Sequence, residues 1–130
     1  MNILLIIATG LVLLTFIAHT FFGDKEYKRI EPTNNDPQAR IDWTMGRGAF
    51  HIVSADFLLA TLALFTILFE VFSKENATFL LKILALYFFC YGIGFLAAVL
   101  ISKDVSKLIF RLPQWLLLFI IAALIYFGIK

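Results

Sequence analysis

Two histidines and one aspartate are the side chains of this sequence best suited to chemistry, because they interrupt long apolar runs. His19 lies about one turn before the end of the first run, and His51 lies about one turn into the second. Asp56 follows five residues later, roughly 7–8 Å deeper along a helix axis. Ionisable groups in such runs are costly and typically mark ion pathways or proton relays. These three residues are therefore the candidate site.

The two imidazoles lie at the same depth if the first two runs form an antiparallel hairpin. Facing imidazoles can bind a metal ion or a haem, or relay a proton, so His19 and His51 are candidate metal ligands. The alternative is that each imidazole only hydrogen-bonds a neighbouring helix. Thr15 precedes His19 by four residues and Ser54 follows His51 by three, so each shares a helix face with its histidine.

Asp56 needs a partner or a proton if it lies within a membrane. The third apolar run offers Tyr87 and Tyr91, whose hydroxyl groups can donate to a carboxylate. The sequence therefore predicts a polar cavity, lined by Asp56, Ser54, Thr15 and Tyr91.

Glu70 and Lys82 suggest a structural role instead. They lie at comparable depths near the other end of the second and third runs. An ion pair between them would fix the register of two neighbouring helices.

The elements that position these residues are four apolar runs, each long enough to cross a bilayer as a helix: Ile3–Phe22, Ala49–Phe72, Ala77–Ile101 and Leu112–Ile129. Hydrophobic residues make up 62% of the chain, and its mean hydropathy is +0.93. Backbone groups in lipid must be paired within a segment, which favours helices. We predict an all-α integral membrane protein, one domain over 1–130, with four transmembrane helices in an antiparallel bundle.

The first run also resembles the apolar core of a signal peptide. However, Met1-Asn2 carries no Lys or Arg, and no cleavage pattern of small residues follows the run. We expect the run to be retained.

A long polar loop over residues 23–45 joins the first two runs. Asp36 before Pro37 predicts a helix N-cap and first helical residue, so we expect a short interfacial helix over Pro37–Met45. Gly46 and Gly48 would let the chain bend before the second span.

This loop is either a connector or a lid over the histidines. The lid residues would be Asp24, Glu26 and Trp43.

The positive charges predict an orientation, since cytoplasmic loops are enriched in Lys and Arg. The first and third loops hold eight of these residues and the opposite side holds three, namely Lys74, Lys82 and Lys130. We expect the first and third loops in the cytoplasm and both termini outside.

The expected partners are the lipid bilayer and a second copy or a larger membrane complex. Gly94 and Ala98 form a small-x-x-x-small pattern typical of close helix packing, within the bundle or across a dimer. The net charge of +2, without a basic run, excludes a nucleic-acid partner.

One resemblance rests on the stretch His19-Thr20-Phe21-Phe22-Gly23-Asp24 together with Phe50-His51. It resembles a group of short bacterial four-span membrane proteins that carry H-x-x-x-G-E at the end of the first span and Trp-His at the start of the second. Asp24 and Phe50 depart from those motifs. The resemblance implies a bacterial inner-membrane location and a site shared by the two histidines, and it implies no activity.

Three functions remain open. The first is a protein that handles an ion, a proton or a metal at a polar intramembrane site of His19, His51 and Asp56. The second is an accessory or scaffold subunit of a larger complex. The third is a membrane enzyme or lipid-binding protein with the histidines as acid and base, ranked last because the spans carry few polar groups.

Overall fold

The computed structural model of the protein describes residues 2–33 and 35–129, and helices dominate them. Lys130, which contributes to the charge count, lies outside the described residues. The elements, in chain order, are α1 (Ile3–Ile17), a π-helical segment (Ala18–Gly23), α2 (Asp24–Lys28), α3 (Pro37–Leu68), α4 (Lys74–Leu100), α5 (Val105–Arg111) and α6 (Gln114–Phe127).

Three helical stretches are long and apolar enough to cross a membrane: Ile3–Lys28, Pro37–Leu68 and Lys74–Leu100. Helices α5 and α6 meet at an angle of 51° and make a fourth candidate if they count as one span. Alone, α6 has 14 residues, or about 21 Å at 1.5 Å per residue, which is shorter than the hydrocarbon core of about 30 Å. The predicted all-helical chain with several apolar helices is confirmed at this level.

The first helical stretch is longer than predicted. The expected end at Phe22 is wrong, because the chain passes from α1 through the π-helical segment into α2 and ends at Lys28. Gly23 keeps right-handed helical angles, with φ −64° and ψ −42°, and so does not terminate the helix. No proline follows until Pro32, so nothing in the sequence forces an earlier end.

Helix α3 begins as predicted at Pro37. The carboxylate of Asp36 accepts a hydrogen bond from the backbone N–H of Gln38 at 2.9 Å, which is the contact expected of an N-cap. The separate interfacial helix over Pro37–Met45 is wrong, however. Helix α3 continues without a break through Gly46 and Gly48 to Leu68, because a glycine costs only about 1 kcal/mol relative to alanine in a helix.

Helix α3 ends in a Schellman motif. The N–H of Val71 bonds the carbonyl of Thr66, and the N–H of Glu70 bonds that of Ile67, both at 3.0 Å. Glu70 itself has a φ of 58°, in the left-handed region where glycine is preferred. Its backbone therefore closes the helix.

The predicted ion pair between Glu70 and Lys82 is not formed among the described residues, and both side chains are exposed. Glu70 follows the end of α3 and lies in a turn that reverses the chain direction. The prediction assumed that the second helix continues to Phe72, whereas α3 ends at Leu68.

The chain divides into two compact units: residues 10–63, and the residues up to Thr9 together with those from Leu64 onward. In the second of these, α4 packs along α6 with Phe88, Ile121 and Ile125 fully buried. Close approach depends on Gly92, because a Cβ there would lie 2.8 Å from the ring of Phe119. The prediction of a single domain stays a prediction.

Gly94 and Ala98, the small-residue pattern of α4, have more open surroundings than the neighbouring Gly92. A Cβ added at Gly94 would meet nothing within 4 Å, and Ala98 is exposed. Both alternatives, packing within the bundle and packing across a dimer, stay predictions.

Candidate functional site

The candidate site lies in residues 10–63, where the end of the first helical stretch runs antiparallel to α3. Four contacts set this arrangement, and their residue numbers rise along the first helical stretch as they fall along α3. They join His19 to Ser54, Asp24 to His51 and Arg47, and Tyr27 to Trp43. We call His19, Asp24, Arg47, Phe50, His51 and Ser54 the histidine site.

His19 lies in the π-helical segment and is partly buried. Its Nδ1 is 3.0 Å from the hydroxyl oxygen of Ser54, which is buried. The imidazole stacks on the ring of Phe50, with 3.8 Å between centroids and 11° between planes, and meets Phe57 edge-on at 5.4 Å. The ring orientation of His19 is thus fixed by one hydrogen bond and two aromatic contacts.

Asp24 connects the polar end of the site. Its carboxylate accepts two hydrogen bonds from Arg47, from Nε at 2.8 Å and from a terminal nitrogen at 3.0 Å. His51 Nε2 lies 3.1 Å from the same carboxylate, and Lys28 lies at 3.8 Å. A two-point Arg–carboxylate pair fixes direction as well as distance, so α2 and α3 are held in one register.

Aromatic side chains extend the site toward the connecting loop. Trp43 Nε1 donates to the backbone carbonyl of Tyr27 at 3.3 Å, and the two rings lie 6.2 Å apart. The guanidinium of Arg47 lies 5.2 Å from the centre of the Trp43 ring, within the range of a cation–π contact. Arg47 therefore bonds Asp24 and covers Trp43 at the same time.

Two glycines let the helices approach at this end. A Cβ at Gly23 would overlap the ring of Phe50, and a Cβ at Gly46 would overlap the hydroxyl of Tyr27. Each glycine thus makes room for an aromatic side chain of the opposite helix. Gly46, predicted as a bend, is instead a contact position in a straight helix.

The predicted lid residues are not in a loop. Asp24 and Glu26 lie in α2 and Trp43 lies in α3, because both helices extend into the predicted loop. Glu26 pairs with Arg29 at 2.7 Å, and both side chains are exposed. Of the three, Asp24 belongs to the histidine site and Trp43 adjoins it through Arg47.

Thr15, Asp56 and Tyr91 are the other predicted cavity residues besides Ser54. The hydroxyl of Thr15 donates to the carbonyl of Leu11 in its own helix at 2.7 Å. Asp56 is half-buried and makes an interaction of its own, while the histidines bond Ser54 and Asp24. Tyr91 lies in α4, where its ring meets that of Tyr87 at 4.5 Å. A cavity that joins these residues stays a prediction.

The ligand chemistry of the site is limited. Within the described residues, no group of three or more His, Cys, Asp or Glu side chains is placed to hold a metal ion. The nearest carboxylate, that of Asp24, is already bonded by Arg47 and His51. The polar groups of the histidine site are therefore engaged in hydrogen bonds with one another.

Sequence reasoning did not assign Arg47 or Phe50 to the site, although Phe50 contacts both imidazoles and Arg47 bonds the Asp24 carboxylate that His51 also contacts. The available signal was a stripe with alternating spacings of four and three residues along α3, which marks one face of a helix. It comprises Trp43, Arg47, Phe50, Ser54, Phe57 and Thr61. Because a bend was predicted at Gly46 and Gly48, the first members of this stripe were not assigned to the same helix as the rest.

Comparison of the chain with known protein families, with curated proteins and with solved structures finds no match.

Proposed function

We propose that this chain is a small bacterial inner-membrane protein that handles protons at the histidine site. The observation that carries the proposal is that the two imidazoles contact the same ring, that of Phe50, and that each has its own oxygen partner. Chains of Asp, Glu and His side chains serve as proton relays in membrane proteins. Histidine changes its charge between pH 5 and 8, which suits the role.

The proposed relay has an outer and an inner step. At the outer step, the exposed His51 exchanges a proton with water and with Asp24, whose carboxylate lies 3.1 Å from His51 Nε2. At the inner step, His19 holds the proton on Nδ1, which lies 3.0 Å from the hydroxyl oxygen of Ser54, while the Ser54 hydroxyl donates to the carbonyl of Phe50. Among the described residues, the hydroxyl of Thr20, next to His19, is buried without a hydrogen-bond partner, and it offers one more group for a proton path.

The proposal includes a topology. We infer four spans, with the bent pair α5 and α6 as the fourth, both termini outside, and the first and third loops in the cytoplasm. Eight of the eleven Lys and Arg residues lie in the predicted first and third loops, including the helix ends that extend into them, and this excess supports the orientation. Asp56 lies five residues beyond His51 in α3, and we place it on the continuation of the proton path.

Proton flux into liposomes that contain the purified protein tests the proposal. We expect His19→Gln and His51→Gln to lower the flux by at least about 100-fold, the share that positioned acid–base groups contribute to proton transfer. Asp24→Asn should act in the same direction. Glu26→Gln is the matched control, because Glu26 is an exposed acid outside the histidine site.

Elemental analysis of the same samples shows whether the site handles a proton or a metal ion. Equal flux in wild type and both histidine variants would refute the proposal. A metal that is present in the wild type and absent from both variants would mean that the site handles a metal ion instead of a proton.

A second candidate is an accessory subunit, or a homodimer, and one observation favours it. Gly94 and Ala98 present an exposed small-residue face on α4, of the kind that lets another transmembrane helix approach closely. Gly94→Leu should abolish association with a second copy or a larger complex, as measured by size and mass in detergent. An unchanged mass distribution would remove this candidate.

A further inference from the structure

Lys82 lies in a largely apolar helix and has no carboxylate partner among the described residues. It lies eight residues after the start of α4, about 12 Å along the axis, and its side chain is exposed. Within the described part of the chain, no Asp or Glu approaches it closely enough for an ion pair, and Glu70 does not pair with it. A charge in this position requires an anionic partner or access to the polar membrane surface.

An apolar groove between α4 and α6 begins at Lys82. Its volume is about 560 Å³, in the range of sites that bind small molecules. Its lining includes the small side chains of Ala85, Ala122 and Ala123 and the rings of Phe89 and Phe119, whose centroids lie 5.4 Å apart. Among the described residues that line it, only Lys82 and Tyr126 carry a polar side-chain atom.

A second, more polar pocket of about 620 Å³ also includes Lys82. It lies at the first turns of α4 and contains the side chains of Lys74, Glu75, Asn76 and Thr78. Two lysines and one glutamate give this pocket a net positive charge. Lys82 is thus the residue shared by an apolar groove and a cationic pocket.

We propose that these two cavities bind one anionic phospholipid of the surrounding bilayer. Its acyl chain would occupy the groove between α4 and α6, and its phosphate would lie against Lys82, with the rest of the headgroup in the polar pocket. The match is one of shape and charge, because a phospholipid places an anionic group directly beside a long apolar chain. The bound phosphate would supply the counter-ion that Lys82 lacks. This proposal does not depend on proton handling at the histidine site.

Native mass spectrometry of the delipidated protein tests this site, with phosphatidylglycerol and phosphatidylcholine of identical acyl chains as probes. We expect phosphatidylglycerol to bind about fivefold more tightly, the preference that one lysine near a membrane surface provides. Lys82→Gln should abolish that preference, and Lys82→Arg should keep it. Lys107→Gln is the control, since Lys107 is an exposed lysine of α5 that lines neither cavity.

A second variant tests the groove separately from the charge. Ala123→Phe adds a large side chain at an exposed groove position and should reduce the binding of both lipids. Ala97→Phe, at an exposed position of α4 outside the groove, should leave the binding of both lipids unchanged.

Three results would overturn the proposal. The first is equal binding of the two lipids by the wild type, and the second is an unchanged preference in Lys82→Gln. The third is a protein dimer that Ala123→Phe dissociates, because the groove would then hold a second copy of this chain. Thermal unfolding of each variant in detergent verifies that it is folded. If Lys82→Gln does not fold, Lys82→Arg keeps the test valid.

Discussion

The two compact units of this protein are stabilised by different interactions. In residues 10–63, polar and aromatic groups join the helices, through the Arg47–Asp24 pair, the His19–Ser54 contact and the stacking of His19 on Phe50. In the other unit, α4 and α6 meet through buried apolar side chains such as Phe88 and Ile121. Helix association in lipid can rest on close packing alone. In residues 10–63, helix association rests on hydrogen bonds and an ion pair as well as on packing.

The largest change in the free energy of unfolding is expected in the apolar unit, which contains α4 and α6. Ile121 is fully buried, whereas its neighbour Ile120 is 43% exposed. We expect Ile121→Ala to lower the free energy of unfolding by about 2 kcal/mol, at the low end for such truncations, because lipid accommodates the apolar group that water would reject. Ile120→Ala should change it little. Unfolding by sodium dodecyl sulfate in bicelles measures both, and equal losses would contradict the buried contact.

An intermediate effect is expected in the polar unit. Ser54→Ala removes the oxygen partner of His19 Nδ1 from a buried position, which should cost about 1–2 kcal/mol. Nitrogen NMR of the imidazole should show the loss of this hydrogen bond in the same variant. Ser102→Ala serves as the control, since the hydroxyl of Ser102 bonds the carbonyl of Ala98 in the preceding turn of chain. An unchanged His19 signal would show that the contact with Ser54 does not form in solution.

The smallest effect comes from two glycines of α3 and has opposite signs. Gly48 has open space around it, so Gly48→Ala should raise the free energy of unfolding by about 0.5–1 kcal/mol through helix propensity. Gly46→Ala should lower it by about 1 kcal/mol, because the new methyl group displaces the hydroxyl of Tyr27. Thermal unfolding in detergent distinguishes them. The same sign for both variants would mean that Tyr27 does not pack on Gly46.

The sequence predicts the helices better than their ends. Three of the four apolar runs and the Asp36–Pro37 start of α3 follow from composition and capping rules and are found as membrane-length helices and as a helix start in the structure. The continuation of α3 through Gly46 and Gly48 could not be predicted from the neighbouring sequence alone. The cost of each glycine there is offset by a tertiary contact or by the long helix around it.

The candidate site was only partly predictable for a similar reason. Hydropathy identifies His19 and His51 as exceptional residues in apolar runs. It does not identify Arg47 or Asp24 as partners, because charged residues beside an apolar run usually face water. Their pairing depends on both helices extending past the apolar runs, and on Gly23 and Gly46 allowing aromatic side chains between them.

The π-helical segment over Ala18–Gly23 makes chain length a determinant of the site. A π-helical turn accommodates one more residue than the regular helix would, and His19 lies inside it while Asp24 follows it. Loss of a single residue from this segment would restore a regular helix and rotate everything after it by about 100° relative to α1. Asp24 and Tyr27 would then leave the face that meets α3. A one-residue deletion here, which changes composition hardly at all, would separate the two halves of the histidine site more completely than most substitutions.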